Sequence, residues 1–342
     1  MTSQLGRRIR ISVHGEVVCD WLPFGDEDRS PNSLDCAFTV LQHAKPEPLT
    51  CELTIYNRSE AARAKMTAIQ TRARELGWKA TEALQSGSIT VEPGGEAAAA
   101  AALAVSAGLV KIEVGYQFDS ALISRTQILA MNGIKHSYNG QDWVTTIRSQ
   151  DGRLPWQNAF VSQPVAPGVS LRDVNRVLEA SQQFLEGTLA EKAFTEQYPE
   201  LLVHKSLPGA VNGMVLHGNT RDQNADILDT LGIEAFYLNG ELIYTPKGAA
   251  TFPDAVRLSR ANNLLTAVPD DFGRYTATTL LDHKISPGRQ VMLIDDDDVT
   301  PIGGGTGIFR VDQVTHSGDN FGGSFTSVAV LRPSGIDGAS NL

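Results

Sequence analysis

The stretch RIRISV (8–13) alternates without a break, placing Ile9, Ile11 and Val13 on one side of an extended chain and Arg8, Arg10 and Ser12 on the other. A period of two is what a half-buried strand requires, because successive side chains leave opposite faces of the pleat. LVKIEVGY (109–116) repeats the pattern, with Val110, Ile112, Val114 and Tyr116 on one face and Lys111 and Glu113 on the other. CAFTVLQ (36–42) and TCELTIYN (50–57) are further β-rich runs set apart by proline-containing turns. Residues 126–152 read as strands joined by a tight Asn139-Gly140 turn, and FYLNGELIYTP (236–246) as a hairpin on Asn239-Gly240. The chain is therefore expected to be mainly β with a few helices, an α+β protein without the alternating βαβ pattern.

Helical spacing occurs in three places. Ser59 can cap a helix over 59–76 in which Ala62, Met66, Ile69, Ala73 and Leu76 form the apolar stripe and Gly77 the stop. Ser170 and Asp173 open a second, lined by Leu171, Val174, Leu178, Ser181 and Leu185 and ended by Gly187. Thr220 and Gln223 form the capping pair of a third, with Ile227, Leu228 and Leu231 as its stripe and Gly232 as its end. This texture divides the chain into three. A first β-domain covers 1–152, carrying the 59–76 helix and an Ala/Gly-rich insertion at 78–107. A helix-containing middle domain covers 153–250. A second β-domain with a polar C-terminal tail covers 251–342.

Composition excludes some classes of function. The chain has 342 residues, 42% of them hydrophobic and 20% charged, enough apolar material for a core in each of about two domains. Thirty-nine acids against 29 Lys+Arg give a net charge of −10, the opposite of a surface built to neutralise phosphates. The densest basic patch is GRRIRI near the start. That start has no apolar run of signal-peptide length, so Sec export is not expected. The alanine-rich run at 96–109 is too short to span a bilayer. Cys19, Cys36 and Cys51 fit no CxxC or zinc spacing and read as buried free thiols of a reducing compartment, with a Cys19–Cys36 or Cys36–Cys51 bridge as the alternative.

Catalytic signatures are scarce. The seven histidines fall in no HExxH or other ligand spacing, and neither GxSxG nor GxxxxGK[ST] occurs. His316, in VTHSGDNFGG, stands out within a polar, glycine-rich hairpin end, where a histidine reads as a turn or surface residue before it reads as a catalyst. The run IDDDDVTPIGGGTGIFR (294–310) invites a metal or phosphate reading. Consecutive aspartates on an extended chain point to alternate sides, so at most two of Asp295–Asp298 face one cation. Gly303–Gly305 lead into a strand, whereas a phosphate cradle leads into a helix. The run is read as a loop between two strands, and whether the aspartates hold a cation stays open. No catalytic, cofactor-binding or metal-binding residues are assigned.

The order of motifs carries a family resemblance. Residues 286–331 resemble the closing strands of phage tail and baseplate hub proteins, found also in prophages and contractile injection particles. A Pro-Gly turn, an apolar strand and a loop precede a G-x-[FY]-x-V-x-x-V-x-H-x-G-D pattern matched by Gly307, Phe309, Val311, Val314, His316, Gly318 and Asp319. The 109–152 strands, the CELTIYNRSEAARAKM junction and the GVSLRDVNRVLEA helix follow in the family's order, so that the resemblance runs from about residue 7 to 332. Residues 78–107 and the long aspartate loop depart from it. The resemblance implies two tube-like β-domains, barrels or sandwiches, with smaller α/β elements. It implies a non-enzymatic homotrimeric hub in the virion tail, assembled in the host cytoplasm, which joins the hexameric tail tube or distal tail protein to a threefold spike or tip. The tape-measure protein and ejected DNA would then occupy the central channel without specific binding. A cell-wall hydrolase and a carbohydrate-binding tail-tip protein are the alternative readings.

Overall fold

The computed structural model describes residues 6–21, 34–45, 47–68, 70–71, 75, 109–116, 119–129, 132–151, 160–169, 174, 178, 214–239, 241–248, 250, 252–295, 300–302 and 307–334. The strands among them are β1 (Arg7–Val13), β2 (Glu16–Trp21), β3 (Cys36–His43), β4 (Thr50–Tyr56), β5 (Leu109–Tyr116), β6 (Asp119–Ile128), β7 (Ile134–Tyr138), β8 (Trp143–Gln150) and β9 (Phe160–Val165). After these come β10 (Met214–Asn219), β11 (Ile233–Leu238), β12 (Glu241–Pro246), β13 (Phe252–Leu258), β14 (Leu264–Pro269), β15 (Tyr275–Leu280), β16 (Arg289–Leu293), β17 (Ile308–Asp319) and β18 (Phe325–Pro333). Residues 60–68 are helical, forming α1, and Thr220–Leu231 form α2. The protein is mainly β with few helices.

One large sheet runs in the order β14-β15-β18-β17-β3-β4-β8-β6-β5-β1-β2, with β7 added to β8 and β16 and β13 branching from β17. β9 with β10 and β11 with β12 form separate two-stranded ladders. The N-terminal strands β1–β8 and the C-terminal strands β13–β18 join where β17 pairs antiparallel with β3, from Gln313 opposite His43 to Asp319 opposite Ala37. The period-two reading of the sequence reappears as alternating burial: Ile9, Ile11 and Val13 of β1 meet Val114, Ile112 and Val110 of β5 in register, all buried.

The two ends of the chain build separate cores. Ile9, Ile11, Phe38, Val40, Leu53, Ile55, Ile112 and Ile147 belong to the first, which also takes in Leu281 and Phe325 from the C-terminal part. Leu258, Ala277, Val291, Phe309, Val314, Ala329 and Leu331 belong to the second. A small third cluster seats Phe236 and Ile243 of the β11–β12 hairpin on Ala44, just past β3. Each fully buried Ile or Leu contributes about 1.5–3 kcal/mol relative to exposure, so the two larger cores dominate the stability of the described fold.

Several local expectations shift on contact with the structure. α2 is present with Gly232 in the left-handed conformation at its end, but its N-cap is Asn219, whose Oδ1 accepts the Arg221 N–H at 2.9 Å. Thr220 is inside the helix and fully buried. The cap moved by one residue because Asn and Thr cap almost equally well and burial decides between them. The Asn139-Gly140 turn is a four-residue connection in which Tyr138 still opposes Trp143. There the Asn139 Oδ1 accepts the N–H groups of Gln141 and Asp142, replacing the two-residue turn by a side-chain-closed one. The Asn239-Gly240 hairpin keeps its two-residue loop, with Leu238 opposite Glu241 and Asn239 at φ +57°. Of the expected 59–76 helix, residues 60–68, 70, 71 and 75 are helical, and of the 170–187 helix Val174 and Leu178 are helical and buried. The insertion at 78–107 lies outside the described residues, as do Asp296, Asp297 and Asp298.

Candidate functional site

His316, Gly318, Asp319 and Asn320 come together where β17 turns into β18. His316 is in the strand, not in the loop, and is 1% exposed, so the surface-turn reading fails. Its Nδ1 lies 2.7 Å from Ser327 Oγ, across the β17–β18 ladder, and Ser327 Oγ accepts the Asp282 N–H at 3.1 Å. The ring also bonds to the Ile285 backbone. One proton arrangement satisfies all three contacts: the serine hydroxyl donates to Nδ1, and Nε2–H donates to the Ile285 carbonyl. Burial pushes the imidazole pKa down to about 4, so the ring is neutral at neutral pH. His316 is thus a buried pin that fastens the 282–286 turn to the sheet.

The neighbouring residues fasten the same corner. An added Cβ at Gly318 would meet the Phe325 ring at 2.5 Å and the Phe38 ring at 3.0 Å, so only glycine fits between them. The Asp319 Oδ1 accepts the N–H groups of Phe321, Gly322 and Gly323 at 3.1, 2.9 and 2.7 Å, closing the loop around one carboxylate. Asn320 reaches across to β2 and β3. Its Oδ1 accepts the Cys36 N–H at 2.8 Å, and its Nδ2 donates to the Leu34 carbonyl at 2.9 Å and lies 3.5 Å from the Cys19 sulfur. The guanidinium of Arg7 sits over the Phe325 ring at 5.3 Å, and Tyr116 meets that ring edge-on at 5.4 Å. The glycine and polar residues that stood out in the sequence therefore make a structural clasp between the two cores.

Cys19, Cys36 and Cys51 are all buried thiols, none of them in a disulfide. The Cys36 thiol pKa is pushed up by its hydrogen bond to Cys19 and by burial, and the Cys51 thiol pKa by burial. The aspartate run leaves β16 at Ile294, which bridges to Pro301, and re-enters the sheet as β17, antiparallel to β16. That agrees with a loop between two strands. Among the described residues no group of three His, Cys, Asp or Glu side chains is placed to hold a metal ion, and no helix is long and apolar enough to cross a membrane.

Sequence reading missed a buried cation. Arg310 is fully buried, with Nε and Nη2 lacking hydrogen-bond partners, and its Nη1 is paired with the Glu234 carboxylate of β11. The signal was faint, because regular alternation in IFRVDQV sets Arg310 on the face opposite the core residues Phe309 and Val311, and nothing local to the strand brings Glu234 to it.

The surface has one unusual face. Both large cores lie on the same side of the β15-β18-β17-β3 sheet, the side of Ala277, Ala329, Val314 and Val40. On the other side run Thr278, Val328, Thr315 and Leu41 in one cross-strand row and Leu280, Thr326, Ser317 and Thr39 in the next. All are at least partly exposed and none is charged. Solvated sheet faces ordinarily alternate apolar-in with charged or strongly polar residues out. The first charges in these rows are Glu52 on the next strand, β4, and Arg148 on β8 beyond it, paired with each other at 3.2 Å; further along the same face Arg332 of β18 opposes Arg310 and pairs with Asp312 at 3.1 Å. Such a face is suited to close contact with another macromolecular surface or to lining a passage that must not hold its contents.

No family model matches the chain, and no curated protein matches it in sequence. Its architecture does have solved counterparts. A prophage MuSo2 43 kDa tail protein from Shewanella oneidensis superposes with a TM-score of 0.53 at 10% identity, over 96% of this chain and 99% of that one. A tail protein from Neisseria meningitidis MC58 gives 0.50 at 10% identity, over 96% and 97%. The matches span nearly the whole of both chains, so they compare complete architectures. The chain therefore has the fold of phage and prophage tail proteins.

Proposed function

We propose that this protein is a structural hub of a phage tail or baseplate. It would be a non-enzymatic homotrimer that joins a hexameric tail tube to a threefold spike or tip and surrounds the channel through which DNA passes. The observation that carries this reading is the continuous sheet. Two β-rich ends of one chain are fused edge to edge through β3 and β17, with both cores on one side and two uncharged cross-strand rows on the other. Three such chains present six β-modules, which matches a sixfold partner while keeping threefold symmetry for the other side. Two uncharged rows, beside which Arg148 and Arg332 are already paired with Glu52 and Asp312, in a chain of net charge −10 offer a polyanion little to bind, as a conduit requires. Tail tube or distal tail protein, spike or tip protein and the tape-measure protein are the partners this role needs, and the virion tail is its place.

The test is the mass of the purified protein across a concentration series, combined with electron microscopy of the particles. A trimer imaging as a ring with a central hole supports the hub. A monomer at every concentration that also fails to bind tail tubes defeats it. The carbohydrate-binding alternative gains nothing from the exposed tryptophan, since one face of Trp143 is already covered by the Arg63 guanidinium at 4.1 Å. Loss of turbidity when the protein is added to host cell walls would revive the hydrolase alternative.

A further inference from the structure

Eight large apolar side chains are exposed among the described residues, and six of them fall into two groups. Leu265, Val268 and Phe272 lie on the β14–β15 hairpin, with Phe272 81% exposed at its tip. Tyr138, Trp143 and Phe321 lie where β7 turns into β8 and β17 into β18. Single exposed apolar residues need no explanation, but grouped ones mark contact surfaces.

The sheet register places the two groups at opposite corners. β14 and β8 are six inter-strand steps apart in the sheet order, roughly 30 Å along the sheet at about 4.8 Å per step. The groups also lie at opposite ends of the strands. Leu280, at the far end of β15 from the hairpin tip, opposes Thr326 beside the loop that carries Phe321. The same register continues through Asp319 opposite Ala37 and Tyr56 opposite Val144 to Trp143 opposite Tyr138. The two surfaces cannot cover each other within one sheet.

Each group is built in advance. At the hairpin tip the Asp270 Oδ1 accepts the N–H groups of Phe272 and Arg274 at 2.8 and 2.9 Å, and Oδ2 pairs with the Arg274 guanidinium at 2.6 Å. Gly273 takes φ +73°, and the Arg274 guanidinium sits over the Phe272 ring at 5.4 Å. Phe272 is thereby held out into solvent by a closed turn, which lowers the entropy lost on docking. The edge itself discourages indiscriminate strand pairing, since an irregularity between Leu264 and Thr266 and the lack of an N–H at Pro269 bracket it. Contact is left to side chains. At the other corner Tyr138 and Trp143 pack at 5.5 Å, and Phe321 meets Tyr56 edge-on at 5.7 Å. Exposed Asp271 at the hairpin tip is complementary to Arg63 on Trp143.

Two different surfaces at opposite corners are what a head-to-tail contact needs, whereas a twofold contact uses one surface twice. We propose that the β14–β15 hairpin of one copy docks on the Tyr138–Trp143–Phe321 corner of the next copy of this chain, and that repetition closes the ring. This rests on the trimeric reading and supplies the surfaces for it.

The test uses light scattering on the full chain and on two variants, Phe272→Asp and Tyr138→Asp, each checked for an unchanged melting temperature. The wild type should associate, and each variant alone should be monomeric with at least a tenfold weaker association. Mixed one to one, the variants should form a dimer and stop there, because the intact hairpin of one still fits the intact corner of the other. Variants that keep the wild-type mass overturn the inference while leaving the trimer standing. A mixture that stays monomeric overturns it, and so does a Phe272→Asp variant that forms the same oligomer as Tyr138→Asp. A wild type that is monomeric at every concentration overturns this inference, and the hub falls with it only if that monomer also fails to bind tail tubes.

Discussion

The buried imidazole of His316 makes a quantitative prediction about acid stability. Burial lowers its pKa from 6.5 to about 4 in the folded protein, so between those values the unfolded chain binds the proton and the folded chain does not. The stability that this site contributes is therefore fully present above pH 6.5, falls as pH drops below that, and stops falling below about pH 4. Linkage with these two values gives a loss of about 2 kcal/mol by pH 5 and about 3 kcal/mol by pH 4 relative to pH 7. His43 and His136, whose pKa values burial also lowers, act in the same direction. The paired Asp119, lowered by its hydrogen bond to Lys284, matters only at more acid pH. A variant isolates His316 from these. In His316→Gln the amide keeps a bond to Ser327 but cannot titrate, so its stability should change less with pH than that of the wild type. Urea unfolding at half-unit steps from pH 7 to 4 measures both proteins. The stability gap between them should shrink by about 3 kcal/mol over that range. A gap that stays constant would show that His316 is not held neutral by burial, and the pin described above would be wrong.

Other sites give sharper yes-or-no outcomes. Glu234→Ala should destabilise the protein by about 3 kcal/mol, the low end for a broken buried pair because Glu234 keeps 18% of its side-chain surface exposed. The double variant Arg310→Met/Glu234→Leu should recover most of that loss, and chemical unfolding of the full double-mutant cycle measures it. Gly318→Ala should cost about 1–3 kcal/mol by overpacking, and Phe325→Leu in the same chain should relieve part of it, as read from urea midpoints. The three thiols should react with a thiol reagent only as fast as the protein unfolds, because burial and hydrogen bonding keep Cys36 and Cys51 protonated. Stoichiometric labelling of the native protein within the dead time would contradict their placement.

The strands were legible wherever one face meets a core and the other meets water. β1 and β5 announce themselves in alternation because their outward residues, Arg10 and Lys111 among them, stay solvated. The stretch of open face around Thr315, Ser317, Thr326 and Val328 carries only Thr, Ser and Val, so alternation there is shallow, and the closing strands were legible mainly through their glycines and His316. The parallel pairing of β13 with β16 could not be read at all, since the β14–β15 hairpin intervenes and nothing local to either strand specifies its partner. The same holds for β3 and β17. His316 was misplaced for a different reason: a polar residue is charged to the surface by composition, and only Ser327 and Ile285, which sequence does not bring near, make its burial tolerable. The docking corners were invisible because exposure of Phe272 and Phe321 is a property of turns closed by Asp270 and Asp319.

The pairing of β17 with β3 also sets a timetable. Cys36 and Asn320 are 284 residues apart in the chain, so the first core waits for one of the last strands. At roughly 5–20 residues per second, β3 emerges from the ribosome on the order of 15–60 s before β17 is available to it. During that interval Phe38 and Val40 lack Gly318 and His316 as neighbours, and one side of β3 has no hydrogen-bonding mate. Nascent chains should therefore bind general chaperones at this strand, and truncation within β17 should yield an aggregating fragment in place of a folded N-terminal half. The fold that gives two modules one sheet makes them inseparable during biosynthesis as well.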